Sequence, residues 1–310
     1  MRVFITGATG LVGTRLVKQL LIRKEEVVVV SRRPEAAKKK FGSQVHVVEG
    51  LPQQEGDWMK EIDGCQAIIH LAGEPILCRW SEVEKTELRN SRVFSTWNLV
   101  KAIEQAKERP QVLTSTSAIG YYGFHPEGDL DETSPPGDDF LAKLCVDWEK
   151  AALDAEKLGV RVAIIRTGVV LAKEGGALKQ MLLPFRLGLG GPAGSGKQWM
   201  SWIHIDDLVD FYVKSLDLPR MKGPINGTAP EPVRNKEFSQ KLASSLHRPC
   251  IFPVPAFALK LMYGEASRLV LEGQRVLPKA IRTLGLQYQY RSLDAALENL
   301  VGTPADEEAT

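Results

Sequence analysis

Apolar residues fall along this chain in short clusters, separated by longer stretches where they recur every three or four places. Val3-Phe4-Ile5 and Val27 to Val30 are unbroken, Val45 to Val48, Cys65 to Leu71 and Val160 to Ile165 carry one or two polar residues each, and Val112-Leu113 leads into Thr114-Ser115-Thr116-Ser117. Runs of this length without polar alternation predict strands buried on both faces of a parallel sheet. Between them, Leu16, Val17, Leu20 and Leu21 keep helical spacing. Ser81 to Lys107 carries Val83, Leu88, Val93, Leu99, Val100 and Ile103 among its charges and predicts one long helix. Phe140 to Leu158 predicts another, with Gly159 as its stop signal. Strands and helices alternating at this spacing argue an α/β fold with a doubly wound parallel sheet.

The pattern changes after about Leu171. Gly175, Gly176, Gly188, Gly190, Gly191, Gly194 and Gly196 crowd one stretch, and prolines gather between Pro219 and Pro255. Helical spacing returns at Asp206–Leu216, Asn235–Leu246 and Ser292–Leu300. The expected organisation is a nucleotide-binding domain over 1–170 and a smaller, mixed substrate-side lobe over 171–302, interleaved with it. The acidic, apolar-poor tail 303–310 is expected to be disordered.

Composition narrows the function by exclusion. Apolar residues make up 44% of the 310 and charged residues 25%, ordinary values for a soluble protein. A formal net charge of +2 gives no reason to expect nucleic acid or an anionic membrane as partner. Four cysteines without a CxxC pair read as reduced thiols, and five scattered histidines show no metal-ligand spacing. No leader is expected ahead of a strand that starts at Arg2, and no apolar run is long enough to span a membrane. The expected compartment is the cytoplasm, or an organelle stroma if a transit peptide has been removed.

The candidate chemistry starts at the first strand's end, in Thr6-Gly7-Ala8-Thr9-Gly10-Leu11-Val12-Gly13. Strand, glycine turn and helix make the first half of a dinucleotide-binding unit. Gly7 serves the tight turn, Gly10 the approach of a pyrophosphate, and Gly13 close helix packing. The second strand ends in Ser31-Arg32-Arg33, where an NAD site would carry an acid for the ribose hydroxyls. Two guanidiniums suit a 2′-phosphate, so NADP is the expected cofactor. The fourth strand runs into Leu71-Ala72-Gly73-Glu74, a small-residue turn where ligands of open α/β sheets sit. The residues expected to hold the cofactor are Gly7, Thr9, Gly10, Leu11, Val12, Ser31, Arg32, Arg33, Leu71, Ala72, Gly73, Glu74 and Arg166. A second glycine-rich stretch, Gly191 to Lys197, imitates a triphosphate loop. Gln198 follows where that motif needs Ser or Thr, and the next residues look extended.

With these pieces placed, the chain resembles the extended short-chain dehydrogenase/reductase superfamily. The landmarks are the glycine turn, His70-Leu71-Ala72-Gly73, Ser115 to Gly123 and Trp202-Ile203-His204-Ile205-Asp206-Asp207. Within it the likeness is to a nucleotide-sugar epimerase-like "epimerase family", carried by Gly73-Glu74-Pro75, Arg79-Trp80, Ser91-Arg92-Val93, Met181 to Gly191 and Leu271 to Pro278. The resemblance implies a Rossmann sheet and a Tyr-x-x-x-Lys pair on the helix after the fifth strand. That pair is missing. Aligned on Glu149, Leu141 stands at the tyrosine position and Cys145 at the lysine position, while Lys143 is out of register. A replacement acid must come from Tyr121, Tyr122, Cys145, Lys143, Glu74 or His204, with Ser117 at the superfamily's substrate-serine position. Two readings follow. One is an NADP-dependent oxidoreductase or epimerase on a small or nucleotide-linked substrate. The other is an NADP-binding regulatory or interaction protein with little turnover, linked to cell or plastid division by labels some relatives carry. A homodimer stays open as the assembly.

Overall fold

The computed structural model describes residues 1–302; the tail 303–310, read above as disordered, lies outside the described residues. Seven parallel strands form the central sheet: β1 (Arg2–Thr6), β2 (Glu26–Ser31), β3 (Val45–Glu49), β4 (Ala67–His70), β5 (Val112–Ala118), β6 (Arg161–Thr167) and β7 (Gly223–Gly227). Their order across the sheet is β3-β2-β1-β4-β5-β6-β7. The chain leaves β1 toward β2 and later returns to β4 on β1's other side. A crevice opens at that reversal, beyond the carboxyl ends of the strands.

Alternation along each strand feeds two layers. Val3 and Ile5 of β1 join Leu16, Val17 and Leu20 of α1 (Leu11–Ile22) and Leu208, Phe211 and Tyr212 from a later helix. Phe4 points the other way, into Trp58, Ile68, Leu99 and Ile103. Each fully buried side chain of this size contributes about 1.5–3 kcal/mol. Helices therefore cover both faces, as the mainly apolar strands require.

The helices that follow are α2 (Pro34–Phe41), α3 (Glu82–Arg89), α4 (Ser95–Gln105), α5 (Phe140–Leu153), α6 (Gly176–Arg186), α7 (Ile205–Asp217), α8 (Asn235–Ser245), α9 (Ala256–Tyr263), α10 (Arg268–Leu271), α11 (Lys279–Thr283) and α12 (Leu293–Val301). The single helix expected from Ser81 to Lys107 is instead α3 and α4 joined through a π turn at Asn90–Phe94. Past α5 the backbone tightens into a 3₁₀ turn, Asp154–Leu158, and stops at Gly159 in the left-handed region, φ 82°.

A boundary near residue 170 is crossed twice. Helix α7 packs on α1, and β7 pairs with β6 from Gly223↔Ala163 to Gly227↔Thr167. Both come from the stretch assigned to the smaller lobe, so that lobe is split, one part inserted before the last strand of the sheet and the rest following it. The lobe has its own core of Leu178, Leu182, Phe185, Trp202, Phe238, Leu242 and Leu297. A fourth cluster, with Trp80, Leu141, Leu144, Trp148 and Ala266, fastens 263–269 against α5 and the approach to α3.

Candidate active site at the strand ends

The glycine turn divides its labour by geometry. Gly7 has φ 69°, and a Cβ there would lie 2.6 Å from the Leu71 carbonyl carbon. A Cβ on Gly13 would lie 2.4 Å from the Gly7 carbonyl oxygen. First and third glycines are thus demanded by packing. Gly10 is different: a Cβ there meets only the Gly7 oxygen, at 3.2 Å, so its outer side is open. No side chain caps α1 at Gly10. The N–H groups of Leu11 and Val12 are left to an anion, aided by the positive end of the helix dipole.

Cations flank this turn. Arg32 Nη1 bonds Glu74 Oε1 at 2.7 Å across the crevice, and Arg33 is exposed beside it. Ser31 turns inward, its Oγ accepting the Arg33 backbone N–H at 3.1 Å. Lys40, from the far end of α2, donates to the Thr9 carbonyl at 3.0 Å. Sequence reasoning missed Lys40, because only the return of α2 brings it to the turn. A cavity of about 360 Å³ lies alongside, bounded by Thr9, Gly10, Leu11, Lys18, Lys40 and Gly175.

A buried hydrogen-bond chain fixes the opposite wall. Thr6 Oγ1 accepts the N–H groups of Leu71 and Ala72, each at 3.2 Å, leaving its own proton for His70 Nδ1 at 2.6 Å. The ring proton then sits on Nε2, directed at Thr96 Oγ1 3.0 Å away. Thr96 passes its proton to the Arg92 carbonyl at 2.6 Å. Burial pulls His70 down to about 4, so it is neutral and structural. Its work, through Thr6, is to hold the backbone of Leu71 and Ala72 in place.

At the end of β5 the structure sorts the catalytic candidates. The aligned register is visible in contacts: a Cβ on Gly120 would meet Leu141 Cβ at 3.4 Å and Cys145 Sγ at 3.8 Å. The face that carries a Tyr and a Lys in the superfamily here presents a leucine and a buried thiol. Burial pushes Cys145 up to about 12, so it is an inert thiol at neutral pH. Lys143 is exposed on another side of α5. Tyr122 is fully buried and gives its hydroxyl proton to Asn226 Oδ1 at 2.7 Å; burial pushes it up to about 12. It cannot serve a ligand. His204 is buried too, and its Nδ1 accepts the Asp206 N–H at 3.1 Å as the cap of α7. Ser117 is buried and donates to Glu149 Oε1 at 2.7 Å.

Arg166 needs correction as a cofactor ligand. It is buried, and its three nitrogens are committed to both Glu149 oxygens, at 2.8 Å each, and to Tyr122 Oη at 3.0 Å. Tyr121 lies flat against it, ring centroid 3.4 Å from the guanidinium carbon. Of the two tyrosines that directly follow β5, Tyr121 alone is partly exposed, and its ring rests on Arg166. The imitation triphosphate loop is filled by protein: Gln198 Nε2 donates to the Ala193 and Val270 carbonyls, and Trp199–Met200 continues as a strand. Among the described residues, no three His, Cys, Asp or Glu side chains gather to hold a metal, and no helix is long and apolar enough to cross a membrane.

Comparison with known proteins agrees with this architecture. The model of the NAD dependent epimerase/dehydratase family matches residues 3–226, and a domain of unknown function, DUF1731, matches 254–300. The chain is 45% identical to the chloroplastic epimerase family protein SDR39U1 homolog of Arabidopsis thaliana, over 97% of this chain and 87% of the relative. It is 38% identical to human epimerase family protein SDR39U1, over 97% and 100%. The crystal structure of that human protein with NADPH superposes with a TM-score of 0.86 at 37% identity, covering 97% of this chain and 99% of the other.

Proposed function

The chain belongs to the NAD dependent epimerase/dehydratase family, and from that premise we propose that its crevice binds NADPH for hydride chemistry on a small or nucleotide-linked carbonyl substrate. One observation carries the reading: an uncapped α1 with an open Gly10 flank, beside Arg32, Arg33 and Lys40. The N–H groups of Leu11 and Val12 would take the pyrophosphate, and Arg32 and Arg33 the 2′-phosphate. That the human relative's structure holds NADPH supports the choice of cofactor. When bound, the nicotinamide supplies or accepts the hydride. The matching proton falls to Tyr121, whose phenol lies near the end of β5 and rests on the Arg166 cation. Calorimetric titration tests the first step: NADPH should bind at least tenfold more tightly than NADH. Equal affinities would overturn the cofactor assignment. A screen of small carbonyls and nucleotide sugars for NADPH oxidation then tests turnover.

The absent acid/base pair favours a second reading, an NADPH-binding regulatory or interaction protein with little turnover. Leu141 and Cys145 offer no proton at neutral pH. Tight NADPH binding with no oxidation across the screen supports that reading. NADPH oxidation lost in Tyr121→Phe supports the first. Either reading is compatible with the cytoplasm or with an organelle stroma, and the plant relative is chloroplastic.

A further inference from the structure

We propose that Arg92 forms an oxyanion site between the Gly73–Glu74 turn and α5, and that it carries the positive charge lost with the lysine at position 145. The inference rests on the reading of the crevice as an NADPH site. Arg92 sits in the π turn Asn90–Phe94, a local widening of the helix of the kind that often marks functional sites. Its guanidinium is partly buried and spends its bonds on neutral acceptors: the Glu74 carbonyl at 2.8 Å, the Leu88 carbonyl at 3.2 Å and Ser91 Oγ at 3.4 Å. The nearby Glu74 carboxylate is given to Arg32 instead. Among the described residues, no carboxylate pairs with Arg92.

A second observation comes from α5. The Arg92 guanidinium carbon lies 5.4 Å from the Trp148 ring centroid. Trp148 is only 4% exposed, and its Nε1–H has no hydrogen-bond partner. An orphaned buried donor is costly, as is a desolvated cation without a counter-charge. An oxyanion reaching Arg92 would supply the missing counter-charge. Arg92 lies hard against the turn that follows β4, since a Cβ on Gly73 would lie 3.3 Å from the guanidinium carbon, and Cys145 is one turn before Trp148 on α5. Arg166 cannot fill the role, since Glu149 already neutralises it.

The oxyanion has two sources, a phosphate of the cofactor's nicotinamide half or an anionic group on the substrate. Calorimetry on wild type, Arg92→Gln and Arg92→Lys separates them, with NADPH and 2′,5′-ADP as ligands; the latter lacks the nicotinamide half. A cofactor source predicts roughly ten- to a hundredfold weaker NADPH binding in Arg92→Gln, partial recovery in Arg92→Lys and unchanged 2′,5′-ADP binding. A substrate source predicts unchanged NADPH affinity, with saturable uptake of inorganic phosphate by NADPH-loaded wild type that Arg92→Gln abolishes. The proposal is overturned if Arg92→Gln binds NADPH like wild type and wild type takes up no phosphate. Equal losses for both nucleotides with a lowered melting temperature also overturn it, since they mark a purely structural arginine. Wild type that binds neither nucleotide defeats the NADPH reading instead, and phosphate titration of the free protein then decides Arg92 alone.

Discussion

Arg166 and Glu149 meet fork to fork inside the protein, Nε to Oε1 and Nη2 to Oε2 at 2.8 Å each, with side-chain exposures of 3% and 8%. Glu149 Oε1 also takes the Ser117 proton, and Arg166 supports both tyrosines. Removing one partner strands a buried charge, at about 3–5 kcal/mol. Glu149→Gln should therefore lower unfolding free energy in urea by that amount, with a smaller loss in Glu149→Leu/Arg166→Met. A single variant within about 1 kcal/mol of wild type contradicts this account.

The Arg32–Glu74 pair works differently, because both side chains are open to water. It adds little to stability. A 2′-phosphate arriving at Arg32 must displace Glu74, so Glu74→Gln should tighten NADPH several-fold and leave the melting temperature unchanged. Removing both Arg32 and Arg33 should weaken NADPH by roughly several-fold to a hundredfold. Calorimetry at fixed salt reads both; weaker NADPH binding in Glu74→Gln would show that Glu74 helps rather than competes.

Gly7 and Gly10 should separate folding from binding. Gly7→Ala puts a Cβ into the Leu71 backbone at a positive φ, so the protein should unfold at markedly lower temperature. Gly10→Val crowds only the Gly7 carbonyl and the open side. It should keep its circular dichroism spectrum and lose NADPH. Normal NADPH affinity in Gly10→Val would mean that nothing approaches the turn.

His70 gives stability a defined pH window. Its folded pKa, about 4, lies below the ordinary 6.5. Between those values the unfolded chain binds the extra proton, so stability rises with pH there and is lost as pH falls from 6.5 toward 4. From pH 7.5 to 5 this residue should remove about 2 kcal/mol. Urea midpoints of wild type and His70→Asn, compared at both pH values, isolate it; equal pH dependence in the two proteins would clear His70.

What could be read from the chain alone was whatever lies close along it. Six strands show as short, mainly apolar or Thr/Ser-rich segments, and the glycine turn and Arg32-Arg33 are local signatures. Strand β7 escaped because Gly-Pro-Ile-Asn-Gly holds a single large apolar residue; its pairing with β6 makes it a strand. Helix α6 was hidden by flanking glycines and by Pro184 within it. Arg166 and Tyr122 looked like ligand contacts because both follow strand ends. Only the folded chain brings Glu149 and Asn226 to them, and those partners consume the groups that sequence had assigned to cofactor binding (Arg166) and to catalysis (Tyr122).

The late position of β7 bears on how this protein can be made. As the chain leaves the ribosome, β6 is complete long before Gly223–Gly227 exists, so its outer edge is a row of unpaired N–H and C=O groups. A truncated product ending near 170 keeps that edge for good. Such a fragment, however complete its glycine turn, should be sticky and recovered in inclusion bodies, and useful excisions must spare 205–227.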